Sequence, residues 1–422
     1  MAHVRDDAPR TGRHHLTYFR EFRLNWPNLM GAALGLGFGA AINHYMMNLF
    51  GPALIAEFGW SKSQFALVGS LGLASLFFMP IAGRITDRYG PRTAAMIGFS
   101  ALPLAFFALS FMSGNIWHFY GILIIKNTIC MLTTTMVFTR VVVERFDTAR
   151  GLALSFLLSC PPLVGALAAP LIGGIIEAEG WRAAYRVLAV MSACGGIAAI
   201  VLIGHSTGKT KAKAPAPKMS WAEFRELCRN PVFVLLMGGM FLVNFPQVIV
   251  SSQMSILLME NGASMAFATS LVSLYAICVI AGRFIGGYAL DRVAPHFVAI
   301  SALGLPALGY VALASSFDGQ WVLAGSIALV GLAQGAETDV GAYLTSRRFG
   351  LGHFSFVFSM LMTSMGLAAS LGALALSFML RGNGNYNAFL ILSALVTLGG
   401  ALCFFLTGRF TAEQDRLAGA PA

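Results

Sequence analysis

The sequence predicts an all-α integral membrane protein in which twelve transmembrane helices form two pseudo-symmetric six-helix bundles. The 422 residues are 57% hydrophobic and only 11% charged, with a mean hydropathy of +0.73, whereas soluble domains are about one quarter charged. Long apolar runs recur along the whole chain, and a charged motif of the first half has a counterpart in the second. The bilayer is therefore the expected solvent of this chain.

Apolar runs define the individual spans, because a helix needs roughly 20 mostly apolar residues to cross about 30 Å of hydrocarbon. Such runs begin near residues 28, 62, 93, 116, 150, 183, 232, 264, 296, 319, 354 and 387, and we number them spans 1 to 12. One long polar interruption divides them into six and six. The predicted organisation is a cytoplasmic tail (1–27), a six-helix bundle (28–204), a cytoplasmic linker (205–231), a second six-helix bundle (232–407) and a cytoplasmic tail (408–422).

The distribution of Lys and Arg predicts the orientation, because cytoplasmic loops carry an excess of these residues. With the N-terminus inside, 21 of the 28 basic residues are cytoplasmic and four are external, while Lys126, Arg140 and Arg283 fall within spans. We expect a multi-pass protein of the cytoplasmic (inner) membrane of a bacterium, with both termini cytoplasmic, that functions as a monomer. The basic residues form no single patch, so nucleic acid is not an expected partner.

The two halves of the chain share a charged motif. A Gly-x-x-x-Asp-Arg sequence follows span 2 at 83–88 and recurs after span 8 at 287–292, 204 positions later. An Arg-Phe pair ends span 4 at 145–146 and span 10 at 348–349, 203 positions later. Two correspondences at nearly one offset indicate duplicated six-span halves, an arrangement in which transporters place their site between the halves.

Residues 83–92, with the sequence Gly-Arg-Ile-Thr-Asp-Arg-Tyr-Gly-Pro-Arg, closely resemble the loop 2–3 signature of the major facilitator superfamily. Further features resemble its branch of monocarboxylate transporters and oxalate:formate antiporters. These are the Gly-Trp-Ser-Lys-Ser-Gln of 59–64, the Arg-Gly-Leu-Ala of 150–153, the Gly-Trp-Arg of 180–182 and Arg283 in span 8. The resemblance covers nearly the whole chain.

The resemblance implies a secondary active transporter that moves a small organic anion, a monocarboxylate above all, by alternating access and in symport with protons. It implies neither an enzyme nor a cofactor. The chain departs from the family pattern at two places. Val279 stands one helical turn before Arg283, at the position where the resemblance to animal monocarboxylate transporters implies an Asp. Residues 354–380 also lack the lysine that the resemblance to oxalate-exchanging transporters implies in span 11. Recognition of a dicarboxylate by two fixed cations is therefore not expected.

The loop signature also predicts a conformational gate, whose candidate residues are Gly83, Asp87, Arg88, Gly90, Arg92 and, in the second half, Asp291. Asp87 can accept hydrogen bonds from the N-terminus of a neighbouring helix, or pair with Arg140 or Arg145. Such a latch would hold the halves together on the cytoplasmic side and break for inward opening. The alternative is that the arginines only determine topology.

Arg283 is the candidate substrate-binding residue. It lies eight residues before Asp291, so about 12 Å deeper in the membrane at 1.5 Å per residue. An arginine at that depth is costly unless it faces a wet cavity or a counter-charge, and its planar fork suits bidentate carboxylate binding. The alternatives are a structural ion pair, or a side chain that reaches the cytoplasmic surface.

Two acids of span 10, Glu337 and Asp339, are the candidates for proton coupling. Asp339 lies eight residues before Arg347, which gives it the same depth as Arg283. Two positions on a helix differ by about 200°, so the acids cannot share a face. A buried carboxylic acid can hold a proton near neutral pH, because burial disfavours its charged form. The alternative for each acid is a fixed pair that packs helices.

Other polar side chains within spans are Asn43 and His44 of span 1 and Asn244 and Gln247 of span 7. Each can supply hydrogen bonds to a substrate between the halves, and each can equally bond one helix to another. Lys126 is expected near the outer surface, where its long side chain can reach water.

Two other classes of function compete with anion transport. Proton-coupled efflux of drugs or other amphipathic compounds predicts an apolar, aromatic cavity with no need of Arg283. A receptor or an intramembrane enzyme is the alternative outside transport, but the chain has no His-Glu-x-x-His or Walker sequence and no metal-ligand spacing. Its one Gly-x-Ser-x-Gly, at 204–208, lies at the start of the polar linker and follows no predicted strand. The expected partners are a small organic anion, protons and the lipid bilayer.

Overall fold

The computed structural model describes residues 11–146, 149–204, 221–290, 292–315 and 319–417, and helices are the regular secondary structure of these segments. The first half contains Thr11–Gly37 and Ile42–Phe58 (span 1), Lys62–Ala66, Leu67–Gly72 and Leu73–Leu109 (spans 2 and 3), Ile116–Ile129, Cys130–Thr133 and Thr135–Arg145 (span 4), Arg150–Glu179 (span 5) and Trp181–Leu202 (span 6). The second half contains Trp221–Arg229, then Pro231–Asn244, Ile249–Gln253 and Met254–Glu260 (span 7), Met265–Leu290 (span 8), Pro295–Ala314 (span 9), Gln320–Asn383 (spans 10 and 11) and Asn387–Leu417 (span 12).

Nine helical segments of the described residues are long and apolar enough to cross a membrane. The other three predicted spans are present but do not stand alone. Span 1 is divided by a break at 38–41, span 3 follows span 2 through Gly90, and span 10 belongs to the same helical segment as span 11. Gly90 has φ 83° and ψ 160°, a conformation that favours glycine, so the chain turns there. The prediction of twelve spans is confirmed.

The segment Gln320–Asn383 folds back on itself. A straight helix would separate Gly341 from Leu361 by about 30 Å at 1.5 Å per residue. In the structure, a Cβ placed on Gly341 would lie 3.4 Å from the Leu361 side chain. Spans 10 and 11 are therefore two neighbouring crossings.

Three pairs of spans make the largest contacts between the two halves. Span 5 packs against span 8, span 2 against span 11, and span 1 against span 7. We call "outer" the side that carries the loops 59–61 and 110–115. Hydrogen bonds between the halves lie in the outer part of these spans: Ser273 donates to the Ala166 carbonyl at 3.0 Å, and Ser63 donates to the Ser377 carbonyl at 2.8 Å. The halves are thus closed together on the outer side.

Spans 1 and 4 are both discontinuous, and their breaks are joined. Span 1 is interrupted at 38–41 and span 4 at 130–134. The Ala40 amide donates to Oγ1 of Thr133 at 2.9 Å, and a side chain on Gly39 would collide with the Thr133 carbonyl. Backbone groups freed inside a membrane need such partners, so each break satisfies part of the other.

Lys126 does not reach the outer surface, and that prediction is wrong. Its side chain is 1% exposed, with Nζ 5.5 Å from the centre of the Phe106 ring. Its depth follows from its place in the helix Ile116–Ile129, which begins at the outer side. Lys126 is ten residues from the start of its helix, which is about 15 Å and so near mid-membrane.

Candidate functional site

Arg283 and Asp339 form an ion pair between spans 8 and 10. The distance from Arg283 Nε to Asp339 Oδ2 is 3.8 Å, and the side chains are 14% and 29% exposed. The prediction that these two residues lie at one depth is confirmed by this contact. An acid from span 10 thus stands beside the arginine, in place of an acid one turn earlier on span 8.

Close backbone contact between spans 8 and 10 positions this pair. A Cβ on Gly335 would overlap the Val279 carbonyl, and a Cβ on Gly282 would overlap the Leu332 carbonyl. Glycine is therefore required on both helices for this approach. Val279, which is 5% exposed, occupies the contact with Gly335 instead of presenting a carboxylate.

The Arg283 guanidinium keeps unused donors. Nε and Nη1 are buried and have no hydrogen-bond partner among the described residues. The 3.8 Å distance to Asp339 is too long for a hydrogen bond, which requires about 2.7–3.2 Å. Buried donors without acceptors cost free energy, and a carboxylate ligand would supply the acceptor that they lack.

Glu337 lies on the opposite face of span 10 and is 2% exposed. Its Oε1 accepts a hydrogen bond from the Asn244 amide of span 7, and its Oε2 accepts one from Gln334 at 2.8 Å. The two acids therefore face different neighbours, as their spacing predicts. Asp339 contacts a cation, whereas Glu337 is held by two uncharged amides.

Span 1 supplies an aromatic and polar group at the boundary between the halves. His44 Nε2 lies 3.4 Å from the Tyr275 hydroxyl of span 8, and the Tyr45 and Tyr275 rings are 6.1 Å apart. Span 8 is also the helix that carries Arg283. His44 and its neighbour Asn43 are partly buried. The predicted polar patch of span 1 is thus on the Arg283 side of the interface.

The two span-7 candidates have different surroundings. Asn244 is 4% exposed and is engaged with Glu337 and with the Met240 carbonyl at 2.9 Å. Gln247 is partly buried and follows Pro246 in the break between the helices of span 7. Asn244 is therefore occupied inside its own half in this conformation, and substrate binding by either residue stays a prediction.

Sequence reasoning missed Asn48, which joins the halves. Its amide donates to the Val250 carbonyl at 2.6 Å and its oxygen accepts from the Met254 amide at 2.9 Å. Asn48 is fully buried, and it follows His44 by four residues, on the same helix face. That spacing is the signal which could have found it. Sequence reasoning also missed Gln334, and the corresponding signal is its spacing of three residues from Glu337 on the same helix.

Asp87 of the loop signature pairs with Arg140, one of its two predicted partners. Arg140 also contacts Glu144 at 2.7 Å. All three residues belong to the first half, and the Asp87 side chain is 75% exposed. The ion pair seen here therefore does not itself tie the halves together, which the predicted latch requires of Asp87 in its closed state.

The remaining signature residues have mixed surroundings. Gly90 makes the turn between spans 2 and 3, and Arg92 Nε donates to the Ile200 carbonyl at 3.1 Å. The Arg88 guanidinium lies 5.4 Å from the centre of the Tyr89 ring. A Cβ on Gly83 would have only the Met136 sulfur at 4.0 Å among the described atoms. Asp291 lies outside the described residues.

Comparisons with known proteins agree with this fold. The model of the Major Facilitator Superfamily matches residues 33–260 and 236–421. The Agnestins efflux protein AgnL12 of Paecilomyces divaricatus is 25% identical, over 85% of this chain and 80% of the relative. Monocarboxylate transporter 13 of Bos taurus is 22% identical, over 84% of this chain and 82% of its own. The crystal structure of the nucleoside transporter NupG matches with a TM-score of 0.73 at 14% identity, over 91% of this chain and 98% of that one.

Proposed function

Because this chain belongs to the major facilitator superfamily of membrane transporters, we propose that it is a secondary active transporter of a small organic anion, a monocarboxylate above all, driven by proton symport. The substrate would bind between the halves, where Arg283 faces Asp339 and where His44 and Tyr45 of span 1 approach span 8. Asn43 and Gln247 are proposed to line the same space. The protein would lie in the cytoplasmic membrane of a bacterium with both termini inside.

One observation carries the proposal: Arg283 has two buried donor atoms without an acceptor. A guanidinium that is paired for structural reasons alone is expected to lie at hydrogen-bond distance from its carboxylate. The remaining N–H groups and oxygen lone pairs of such a pair are expected to have hydrogen-bond partners as well. The pair with Asp339 is looser than that, at 3.8 Å. An anionic ligand that completes the coordination of Arg283 explains why the chain retains a charge at this depth.

Proton coupling is assigned in this proposal to the two acids of span 10. Asp339 competes with the substrate for Arg283, so that arrival of the substrate anion frees the Asp339 carboxylate to take a proton. Glu337 is buried without a cation beside it among the described residues. The neutral form of a carboxylic acid is the cheaper one in such a place, so Glu337 is the group proposed to carry a proton through the cycle.

The loop signature is proposed to form the cytoplasmic gate of alternating access. In this conformation the outer side is closed and Asp87 is exposed, which supports a state open toward the cytoplasm. Gly83 has free space around it here. In the state that is closed toward the cytoplasm, its lack of a side chain would allow another helix to approach span 2 closely.

Substitution of Arg283 tests the proposal. Purified protein would be screened by thermal shift against small monocarboxylates, since a ligand that binds the folded state raises apparent stability. Flux would be measured in proteoliposomes. We expect Arg283→Lys to weaken anion binding roughly 10-fold or more, since a point charge cannot replace the fork and such hydrogen bonds contribute about 1.5–3 kcal/mol. Arg283→Ala should abolish saturable flux.

The matched control is Arg186→Lys, because Arg186 is exposed on span 6 and lies 5.8 Å from the Phe111 ring, away from this site. This variant should bind and transport as the unmodified protein does. Undiminished anion binding in Arg283→Ala would move the substrate site elsewhere and refute the assignment.

Efflux of amphipathic compounds is the second candidate, favoured by the similarity to the Agnestins efflux protein and by the aromatic group of His44, Tyr45 and Tyr275. It predicts transport of uncharged aromatic compounds that is indifferent to Arg283→Ala. The same variant therefore separates the two candidates.

A further inference from the structure

Among the described residues, Glu337 accepts hydrogen bonds from two side chains, and one of them belongs to another helix. Spans 8 and 9 contribute the buried side chains of Tyr275 and Tyr310, the titratable groups near enough to Glu337 for an electrostatic interaction. Span 7 presents the Asn244 amide, and span 10 itself presents Gln334 three residues before the acid. Asn244 is therefore the contact through which a change at Glu337 reaches a different helix.

Protonation of Glu337 changes what this contact requires. Both carboxylate oxygens now accept from amide N–H groups. A protonated carboxyl has a hydroxyl that must donate, so one of the two amides must turn its carbonyl oxygen toward it. Gln334 moves with Glu337 on the same helix, whereas a turn of Asn244 alters how span 7 meets span 10.

Asn244 is also the last residue of the inner helix of span 7. Pro231–Asn244 ends there, the chain is interrupted at Phe245 and Pro246, and a π-helical turn covers Ile249–Gln253. Proline removes a backbone donor and π-turns mark functional positions in helices. The outer part of span 7 therefore joins the inner part through an irregular segment that begins at Asn244.

The outer part of span 7 holds the halves together on the closed side. Asn48 of span 1 contacts Val250 and Met254, and Glu260 at the end of the span forms an ion pair with Lys62 of the first half. A tilt of this segment would break these contacts together. The inner helix of span 7, which ends at Asn244, is in hydrogen-bond contact with Glu337.

We infer that Asn244 is a positioning residue that transmits protonation of Glu337 to the outer part of span 7, and so controls opening of the outer side. The inference rests on the proposed role of Glu337 as a proton carrier. With the proton absent, Asn244 donates to Glu337 and the outer side is closed. With the proton present, Asn244 turns, span 7 shifts at Phe245 and Pro246, and the contacts of Asn48 and Glu260 with the opposite half are released.

The experiment measures the distance across the outer side by pulsed electron paramagnetic resonance. Spin labels would be attached to Ser113→Cys and Ala266→Cys, which are exposed at the outer ends of the two halves, in the full chain with its native cysteines replaced. The protein with Asn244 intact should show a longer distance in mildly acidic than in mildly alkaline buffer. Glu337→Gln should show the long distance in both.

Asn244→Leu, which preserves volume but cannot donate or accept, should abolish the dependence of the distance on pH. Gln334→Leu is the matched control, because it removes the other amide and leaves span 7 untouched, and it should keep the dependence. If Asn244→Leu folds poorly, Asn244→Ser has a hydroxyl too short to reach Glu337 and should give the same loss.

A pH response that survives in the Asn244 variants would overturn the inference, and so would an unresponsive distance in the protein with Asn244 intact. Failure of the proposed function looks different. If organic anions neither bind nor move, the distances still report on Asn244. If anions are transported with protons but Asn244 variants respond to pH normally, only this inference fails.

Discussion

At the scale of single residues, the two acids of span 10 should behave differently when each is neutralised. Glu337→Gln keeps the size and polarity of the side chain but cannot exchange a proton. We expect it still to bind and exchange substrate anions while losing accumulation driven by a pH gradient. Counterflow and gradient-driven uptake, measured in the same proteoliposomes, would show this. Gradient-driven uptake that stays intact would exclude Glu337 as the proton carrier.

Asp339→Asn should have the opposite signature. It removes the carboxylate that competes with substrate for Arg283, so anion binding should tighten roughly tenfold, or about 1.4 kcal/mol. Release of the anion should slow for the same reason, and the unpaired guanidinium should lower thermal stability without ligand. Isothermal titration with the anion found by the thermal-shift screen measures the affinity. Weaker binding would mean that Asp339 helps to hold the substrate.

Residue spacing predicted the pairing of Arg283 with Asp339 but not the surroundings of Glu337. Equal depth brought Arg283 and Asp339 together, because a helix rises by a fixed amount per residue and both spans are counted from the same membrane surface. Spacing could not choose the partner of Glu337, since rotation of one helix against another is set by packing. The glycines at 282 and 335, which fix that packing, look like any others in a chain with 46 of them.

At the scale of elements, an external cluster joins span 1 to span 6. The Glu57 carboxylate, at the end of span 1, accepts from Trp181 Nε1 at 2.5 Å and from Arg182 Nη1 at 2.6 Å. The Arg182 guanidinium also lies 4.2 Å from the centre of the Trp181 ring. The Gly-Trp-Arg motif of 180–182 thus has a structural reason in this chain, because it attaches the outer ends of two spans to one another.

This cluster predicts a dependence of stability on pH. The hydrogen bond from Arg182 holds the pKa of Glu57 below its usual range. A carboxylate whose pKa is lower in the folded than in the unfolded protein stabilises the folded state at pH values above the unfolded pKa. This stabilisation is lost as the pH falls through the pKa of the folded state. The midpoint of thermal unfolding should therefore drop in acid, and by less in Glu57→Gln, which is already uncharged. Identical acid sensitivity in both proteins would contradict a stabilising role for the cluster.

The sequence predicted where spans begin but not where they are interrupted, and the difference has a physical reason. Apolar length predicts where a span begins, but a break within a span depends on which backbone groups find partners. Ala40 and Thr133 satisfy one another across 93 positions, a contact that no local pattern announces. The turn at Gly90 was different, since the signature sequence itself carries the glycine that a positive φ requires.

At the scale of the whole molecule, the closed outer side depends on a small polar group of contacts. Lys62 and Glu260 form an ion pair between the halves, and Arg381 donates to Ser63 at 3.1 Å across the same boundary. Both members of the ion pair are partly exposed. Ion pairs of this kind contribute about 0–1 kcal/mol, so they bias the balance of conformations rather than lock it.

Charge reversal of this pair tests that bias. Lys62→Glu and Glu260→Lys should each place like charges together and raise the population open to the outside by up to about fivefold per kcal/mol. The double reversal should restore the original balance. A cysteine at Ser252, which is 2% exposed in span 7, would report opening through its rate of labelling by an impermeant maleimide. A double variant that labels as fast as the singles would show that the ion pair does not hold the gate.

The burial of Lys126 makes the rate at which its amine is acylated a measure of how often the N-terminal bundle opens. Its amine is enclosed between spans 3 and 4, while the amine of Lys62 on the same half is 37% exposed. An acylating reagent would find the second amine at once and the first only when the bundle loosens enough to admit it. The ratio of the two modifications, measured by mass spectrometry on one sample, then reports how often this half opens, and no engineered label is needed.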